Sequence, residues 1–165
     1  MIFDIKTFTL IHTLISLIGI TSGLVVMGGL MAGKRLDGWV GLFLITTALT
    51  SITGFGFPFI GLIASHYIGL FSLLILPPVI YARYRKHLIG SWRGVFVVGT
   101  ALTLYFNFFV LVVQLFRRVP ALLVSAPTGK EPPFVVTQLL VMAMFAVLSV
   151  AAYKKFPPQA VKPFQ

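Results

Sequence analysis

The chain has 165 residues, of which 58% are hydrophobic and only 10% charged, and its formal net charge is +10. Soluble domains average about 45–50% apolar and about 25% charged residues, so this composition excludes a disordered chain and disfavours a water-soluble enzyme. Zero cysteines exclude a disulfide scaffold and thiolate metal sites. The mean hydropathy of +1.02 predicts an integral membrane protein.

Five apolar segments long enough to cross a bilayer follow one another along the chain. A helix needs about 20 mostly apolar residues to span a hydrocarbon core of roughly 30 Å. The second and third segments are separated at 53–58, where two glycines and a proline end a helix. The sequence predicts an all-α, polytopic membrane helix bundle with five transmembrane helices, at about 7–32, 38–57, 61–82, 94–116 and 134–153. These helices form one predicted transmembrane domain over residues 1–156, and 157–165 is a C-terminal tail.

The distribution of positive charge predicts the orientation, because cytoplasmic loops are enriched in Lys and Arg. With the N-terminus outside, nine Lys and Arg face the cytoplasm and four face the other side, namely Lys6, Arg117, Arg118 and Lys130. We therefore predict an N-out, C-in topology. The proline-rich segment 117–133 is then an external loop with a short interfacial piece. Since the cations lie in short clusters between apolar runs, they indicate a lipid bilayer as partner and no nucleic acid.

Large polar side chains are predicted at one depth, in the outer half of the bundle. Four of the five helices contribute one each: His12, His66, Gln114 and Gln138. Polar groups at membrane depth are costly and often functional, although interhelical hydrogen bonds that lock a bundle explain them equally well. Gly19 and Gly23 form a GxxxG step on the His12 stripe, which predicts that His12 points into the bundle.

The two intramembrane histidines indicate a redox cofactor. A b-type haem takes an axial imidazole from each side, and His12 and His66 are the only such pair available as iron ligands. Its propionates would lie near Arg117 and Arg118, although this pair taken alone fits lipid headgroups better. A quinone would use the same layer, with its carbonyls on His66 or Gln138 and its ring covered by the aromatic residues Phe55, Phe57, Phe59 and Tyr67.

The sequence therefore predicts a redox-type subunit that binds b haem or a quinone. No Asp or Glu lies within a predicted span, which disfavours carboxylate catalysis and acidic proton relays. Two alternatives stay open. One is a non-catalytic accessory or assembly subunit that packs against other membrane subunits, and the other is a pore or transporter formed by a homo-oligomer.

Three segments resemble small multi-pass proteins of bacterial inner membranes. They are TSITGFGFPF at 50–59, Ser65-His66, and EPPF at 131–134. The similarity extends over most of the chain and implies a location, the bacterial inner membrane, but no activity. The likeness to membrane cytochrome b subunits is one of architecture alone, which does not establish function.

Overall fold

The computed structural model of the protein describes residues 4–57 and 64–158. Within these two ranges the chain forms helices and no strands. There are six helices: α1 (Ile5–Met31), α2 (Asp37–Gly54), α3 (Ala64–Tyr84), α4 (Trp92–Arg118), α5 (Pro120–Ser125) and α6 (Pro132–Lys155). The predicted start of the third helix at 61 and most of the predicted tail lie outside the described residues.

Four of the described helices are long and apolar enough to cross a membrane: α1, α3 from His66 onward, α4 and α6. These four helices indicate a membrane protein. The predicted fifth span corresponds to α2, which has 18 residues. At about 1.5 Å per residue it is roughly 27 Å long, slightly less than a typical hydrocarbon core. Its four threonines and Asp37 also lower its hydropathy.

The helix α4 lies at the centre of the bundle, in contact with α1, α3 and α6, while α1 packs along α2. The central residues of α4, Thr100 and Thr103, are completely buried. Asn107 Nδ2 donates a hydrogen bond of 3.2 Å to Thr47 Oγ1 and so links α4 to α2. In lipid, helices associate through close packing and such interhelical hydrogen bonds rather than through the hydrophobic effect.

The two glycines of the predicted GxxxG step lie where α1 meets its neighbours. A Cβ added to Gly19 would stand 3.3 Å from Thr46 Oγ1 on α2. A Cβ added to Gly23 would stand 2.6 Å from Leu104 on α4 and 2.8 Å from Phe43 on α2. Both glycines therefore allow backbones to approach closely, as small residues do in membrane bundles.

Pro77 and Pro78 lie inside α3, and the helix continues through both. Proline has no N–H, so the carbonyl groups four residues earlier, on Leu73 and Leu74, lose their helical hydrogen-bond donors. The side chains of both prolines are exposed on the outer surface of the bundle. The middle of α3 is thus held by fewer backbone hydrogen bonds than its two ends.

The described connections lie at two ends of the bundle. At the basic end are residues 32–36, 85–91 and the segment after α6. There Arg93 Nη1, at the start of α4, donates a hydrogen bond of 2.6 Å to the carbonyl of Phe156, just after α6. At the turn end are residues 55–57, α5 and residues 126–131. The helix α5 corresponds to the short piece that the sequence predicts within 117–133. Its Leu122 packs on a small cluster formed by Val112, Phe116 and Ala126.

Candidate functional site

His12 lies at the turn end, on the face of α1 that contacts the end of α2. Its Nδ1 is 2.8 Å from Thr53 Oγ1. Its ring meets Phe57 edge-on, with centroids 5.1 Å apart and an interplanar angle of 90°. Phe57 in turn packs against Phe8, one helical turn before His12. The imidazole is therefore fixed by one hydrogen bond and by aromatic packing.

The hydrogen bonds of Thr53 determine which nitrogen of His12 carries the proton. Thr53 has one hydroxyl proton, and its Oγ1 donates to the carbonyl of Leu49 at 2.7 Å. With this proton on Leu49, the hydroxyl oxygen accepts from His12, which favours the neutral tautomer that is protonated on Nδ1. Nε2 keeps its lone pair and has no hydrogen-bond partner among the residues that the structure describes. This is the tautomer in which histidine commonly binds a metal or accepts a proton through Nε2.

His66 lies in the first turn of α3 and is buried, with 9% of its surface exposed. Its ring is 5.7 Å from that of Phe55, which also packs against Gly69 one turn further along α3. His12 and His66 therefore border the same 53–57 segment but contact different residues of it. Of the aromatic residues expected to cover a quinone ring, Phe55 and Tyr67 are largely exposed, and Phe59 lies outside the described residues.

Gln138 is the second buried polar group of the predicted layer. Its Nε2 donates a hydrogen bond of 3.1 Å to the carbonyl of Phe109 on α4. Its Oε1 is buried and has no hydrogen-bond partner among the described residues. Gln138 therefore ties α6 to α4 and keeps one unused acceptor inside the bundle.

Gln114 and the arginine pair lie on the surface at the turn end. Arg118 Nε donates to Gln114 Oε1 at 3.2 Å, and Gln114, Arg117 and Arg118 are all exposed. The inward positions of this helix end belong to Val112 and Phe116. Since Gln114 is two residues from each, it points to the opposite face of the helix. The structure does not bring these three residues together with His12 or Gln138.

A polar cluster that the sequence analysis missed lies at the basic end. Arg83, in the last turn of α3, is 6% exposed and donates through Nη2 to Asp37 Oδ1 at the start of α2. The sequence signal was present, because Asp37 is one of only three acidic residues and lies in a basic segment. Its partner, 46 positions away in sequence, could not be deduced without the fold.

Glu131 fixes the loop between α5 and α6, outside the spans. Its Oε1 accepts hydrogen bonds from Thr128 Oγ1 at 2.8 Å and from the Thr128 amide at 3.1 Å. Its Oε2 accepts from the Lys130 amide at 3.0 Å. The Thr128 hydroxyl is the largest cause that lowers the pKa of Glu131 to about 2, because hydrogen bonds to a carboxylate favour its charged form.

We expect this loop to keep its hydrogen bonds far into acid. The carboxylate contributes its full stability above the ordinary pKa of 4.5 and loses it as the pH falls through about 2. Glu131 is the only glutamate in the chain, so ¹³C NMR of glutamate-labelled protein gives one side-chain carboxyl signal. Its titration midpoint should lie near 2 and rise in Thr128→Ala. A wild-type midpoint near 4.5 would contradict the hydrogen bonds.

Across residues 4–57 and 64–158, no group of three or more His, Cys, Asp or Glu side chains is placed to hold a metal ion. Among the described residues at the turn end, the Nε2 lone pair of His12 and the amide oxygen of Gln138 are acceptors that could bind a ligand. No protein-family model, curated protein or solved structure matches this chain.

Proposed function

We propose that this protein spans a bacterial inner membrane five times, with its N-terminus outside and its C-terminus inside. The fifth span is α2, which packs along α1 and has 18 residues, against 27 in α1 and 21 in α3. The positive-inside rule supports the orientation, because the basic end carries most of the cations. They are Lys34, Arg35, Arg83, Arg85, Lys86, Arg93, Lys154 and Lys155.

Within this topology the protein functions as a redox-type subunit, and its cofactor contacts Nε2 of His12. The single observation that carries this function is the contact of His12 Nδ1 with Thr53, whose hydroxyl bonds Leu49, because this arrangement favours the tautomer that leaves Nε2 as an acceptor. A polar group near the outer side of a membrane bundle that has an open lone pair is a functional-site hypothesis by default. The edge of Phe57 and the nearby Phe8 provide an apolar wall beside it.

A quinone in its reduced form fits this chemistry best. A hydroquinone hydroxyl donates a hydrogen bond, and Nε2 of His12 accepts one, so a single imidazole is sufficient. When bound, a quinone supplies two-electron, two-proton chemistry, and the imidazole can take up a proton released at the membrane surface. Haem b is the second candidate, because the same tautomer suits an axial iron ligand. Haem ligated on both sides would also require His66, which packs on Phe55 instead.

The test compares two amides at position 12. The side-chain nitrogen of Asn corresponds to Nδ1, so His12→Asn keeps the bond to Thr53 and removes Nε2. The side-chain amide of Gln reaches the position of Nε2, so His12→Gln keeps a polar group there. We expect quinone to be extracted from gently solubilised wild-type protein at up to one molecule per chain. His12→Asn should lower this yield at least tenfold, and His12→Gln should lower it less.

The matched control is His87→Asn, because His87 is an exposed loop residue at the basic end and Asn tolerates its left-handed backbone (φ 50°). This variant should retain the wild-type yield. A reduced-minus-oxidised haem spectrum that is lost in His12→Asn would assign the site to haem b. Wild-type protein from quinone- and haem-replete cells that holds neither cofactor would refute the redox function.

One observation favours the alternative of an accessory subunit. The helix α6 contacts the bundle through a narrow stripe, Gln138, Phe145 and Ala152, and only 11% of its apolar span is buried. Another subunit's helix fits this open face. The accessory function predicts that the protein co-purifies with a larger complex in mild detergent and that His12→Asn leaves this association unchanged.

A further inference from the structure

Arg83 is a buried cation with more hydrogen-bonding capacity than its protein partners use. One guanidinium nitrogen, Nη2, donates to Asp37, whose carboxylate side chain is 68% exposed. The Nε of Arg83 is buried and has no hydrogen-bond partner among the described residues. A buried charged donor without an acceptor is costly, so its persistence calls for an acceptor beyond those that residues 4–57 and 64–158 supply.

Arg83 lines a narrow cleft of about 10 Å³ at the basic end that opens to solvent. This volume holds about one water molecule, so a larger ligand binds at the mouth of the cleft. The polar part of its lining carries three cations and one carboxylate: Lys34, Arg35, Arg83 and Asp37. The apolar part is formed by residues of α1, α2 and α4 and by three residues outside the helices: Val26, Leu30, Val40, Phe96, Leu36, Leu88 and Phe156. The cleft therefore combines a net positive rim with a low-dielectric wall, which strengthens the attraction for an anion.

We propose that a phosphate group binds at the mouth of this cleft, with Arg83 as its inner ligand and Lys34 and Arg35 as its outer ligands. A guanidinium presents several N–H donors in a planar fork that matches phosphate oxygens. Basic pockets between membrane helices on the cytoplasmic side commonly take phospholipid headgroups. The same chemistry would accept inorganic phosphate. This site lies at the end of the bundle opposite His12 and does not depend on the proposed redox function.

Four variants test the site in the full-length, detergent-solubilised protein. Arg83→Lys keeps the charge that pairs with Asp37 and removes Nε, and it should weaken binding at least tenfold. Lys34→Gln with Arg35→Gln removes two exposed cations and should weaken binding to a similar degree. Asp37→Asn removes the carboxylate that competes for Arg83, and it should strengthen binding severalfold. Lys154→Gln with Lys155→Gln is the matched control, because it removes the same charge at the same end outside the cleft.

The probes separate the two sources of phosphate. Binding is measured by isothermal titration with inorganic phosphate and by native mass spectrometry with phosphatidylglycerol or, as a zwitterionic comparison, phosphatidylcholine. If the protein retains phosphatidylglycerol and does not bind inorganic phosphate, the ligand is an anionic lipid. If inorganic phosphate binds in the titration, the ligand is the free ion. Either result supports the site if the variants rank as stated.

Three outcomes would overturn the proposal. The first is wild-type protein that binds neither phosphatidylglycerol nor inorganic phosphate. The second is equal loss in the Lys34/Arg35 and Lys154/Lys155 double variants, which would show a general charge effect. The third is wild-type affinity in Arg83→Lys, since that variant retains the charge and lacks only the guanidinium geometry. Circular dichroism and gel filtration of each variant confirm that the helices and the monodisperse state persist.

Discussion

Gly23→Ala is expected to lower the free energy of unfolding by about 1–3 kcal/mol, the usual cost of adding an atom to a well-packed core. The new Cβ would lie 2.6 Å from Leu104 Cδ1 and 2.8 Å from Phe43 Cε2. Both side chains are completely buried, so neither can move away without displacing α2 or α4. Denaturation by SDS in mixed micelles, followed by tryptophan fluorescence, measures the change.

Gly28→Ala provides the control on the same helix. Its added Cβ would meet no heavy atom within 4 Å, and Gly28 is exposed. Alanine there should be neutral or stabilise the helix by up to about 1 kcal/mol through its better helix propensity. If the two variants unfolded at the same SDS fraction, close contact between α1, α2 and α4 would not be the reason for glycine at position 23.

Asp37→Asn is expected to cost about 1.5 kcal/mol of stability when measured in phosphate-free buffer. A hydrogen bond to a charged group contributes about 1.5–3 kcal/mol, and the exposure of Asp37 places this bond at the lower end. The loss arises because Arg83 stays buried while Asp37, its acceptor among the described residues, becomes a neutral amide. The measurement is the same SDS denaturation curve.

Asp4→Asn is the matched comparison for Asp37→Asn. Both aspartates lie at the start of a helix, where a negative charge interacts favourably with the helix dipole. The side chain of Asp4 makes no capping hydrogen bond, so its variant reports the dipole effect alone. A cost as large for Asp4→Asn as for Asp37→Asn would mean that the contact with Arg83 adds nothing to stability.

The positions of the helices could be predicted because apolar runs end at charged residues. The predicted span 94–116 corresponds to α4, which begins two residues earlier and continues through Arg117 and Arg118. Cations are favoured in the last turn of a helix, so the helix outlasts the apolar run. A span estimated from hydropathy alone therefore ends too early.

The faces of the helices were harder to predict from spacing. On α6, Met142 follows Gln138 by four residues, a spacing that predicts a shared helical face, but 47% of its surface is exposed. The buried stripe follows steps of seven residues from Gln138 through Phe145 to Ala152. Such a narrow stripe is typical of a helix that contacts its bundle along one seam. Hydropathy cannot distinguish it from a wider face, because the lipid-facing residues are equally apolar.

The candidate site could be predicted only in part. The depths of residues along the predicted spans place His12 level with the end of the second helix. A contact between His12 and a threonine there can be predicted, and Thr53 makes it. The tautomer of His12 cannot be predicted from the sequence, because it depends on which acceptor the hydroxyl group of Thr53 bonds. The pairing of Arg83 with Asp37 is likewise a long-range contact that no local pattern encodes.

The paired prolines of α3 separate two segments of this helix, each of which is stiffer than the region between them. His66 belongs to the segment before Pro77, and Arg83 belongs to the segment after Pro78. Bending is cheapest where backbone hydrogen bonds are missing, so we expect a hinge midway between the two faces of the membrane. An anion that pulls on Arg83 would then tilt the half of α3 at the basic end and leave the half at the turn end, with His66, in place, which would insulate the two ends of the protein from each other.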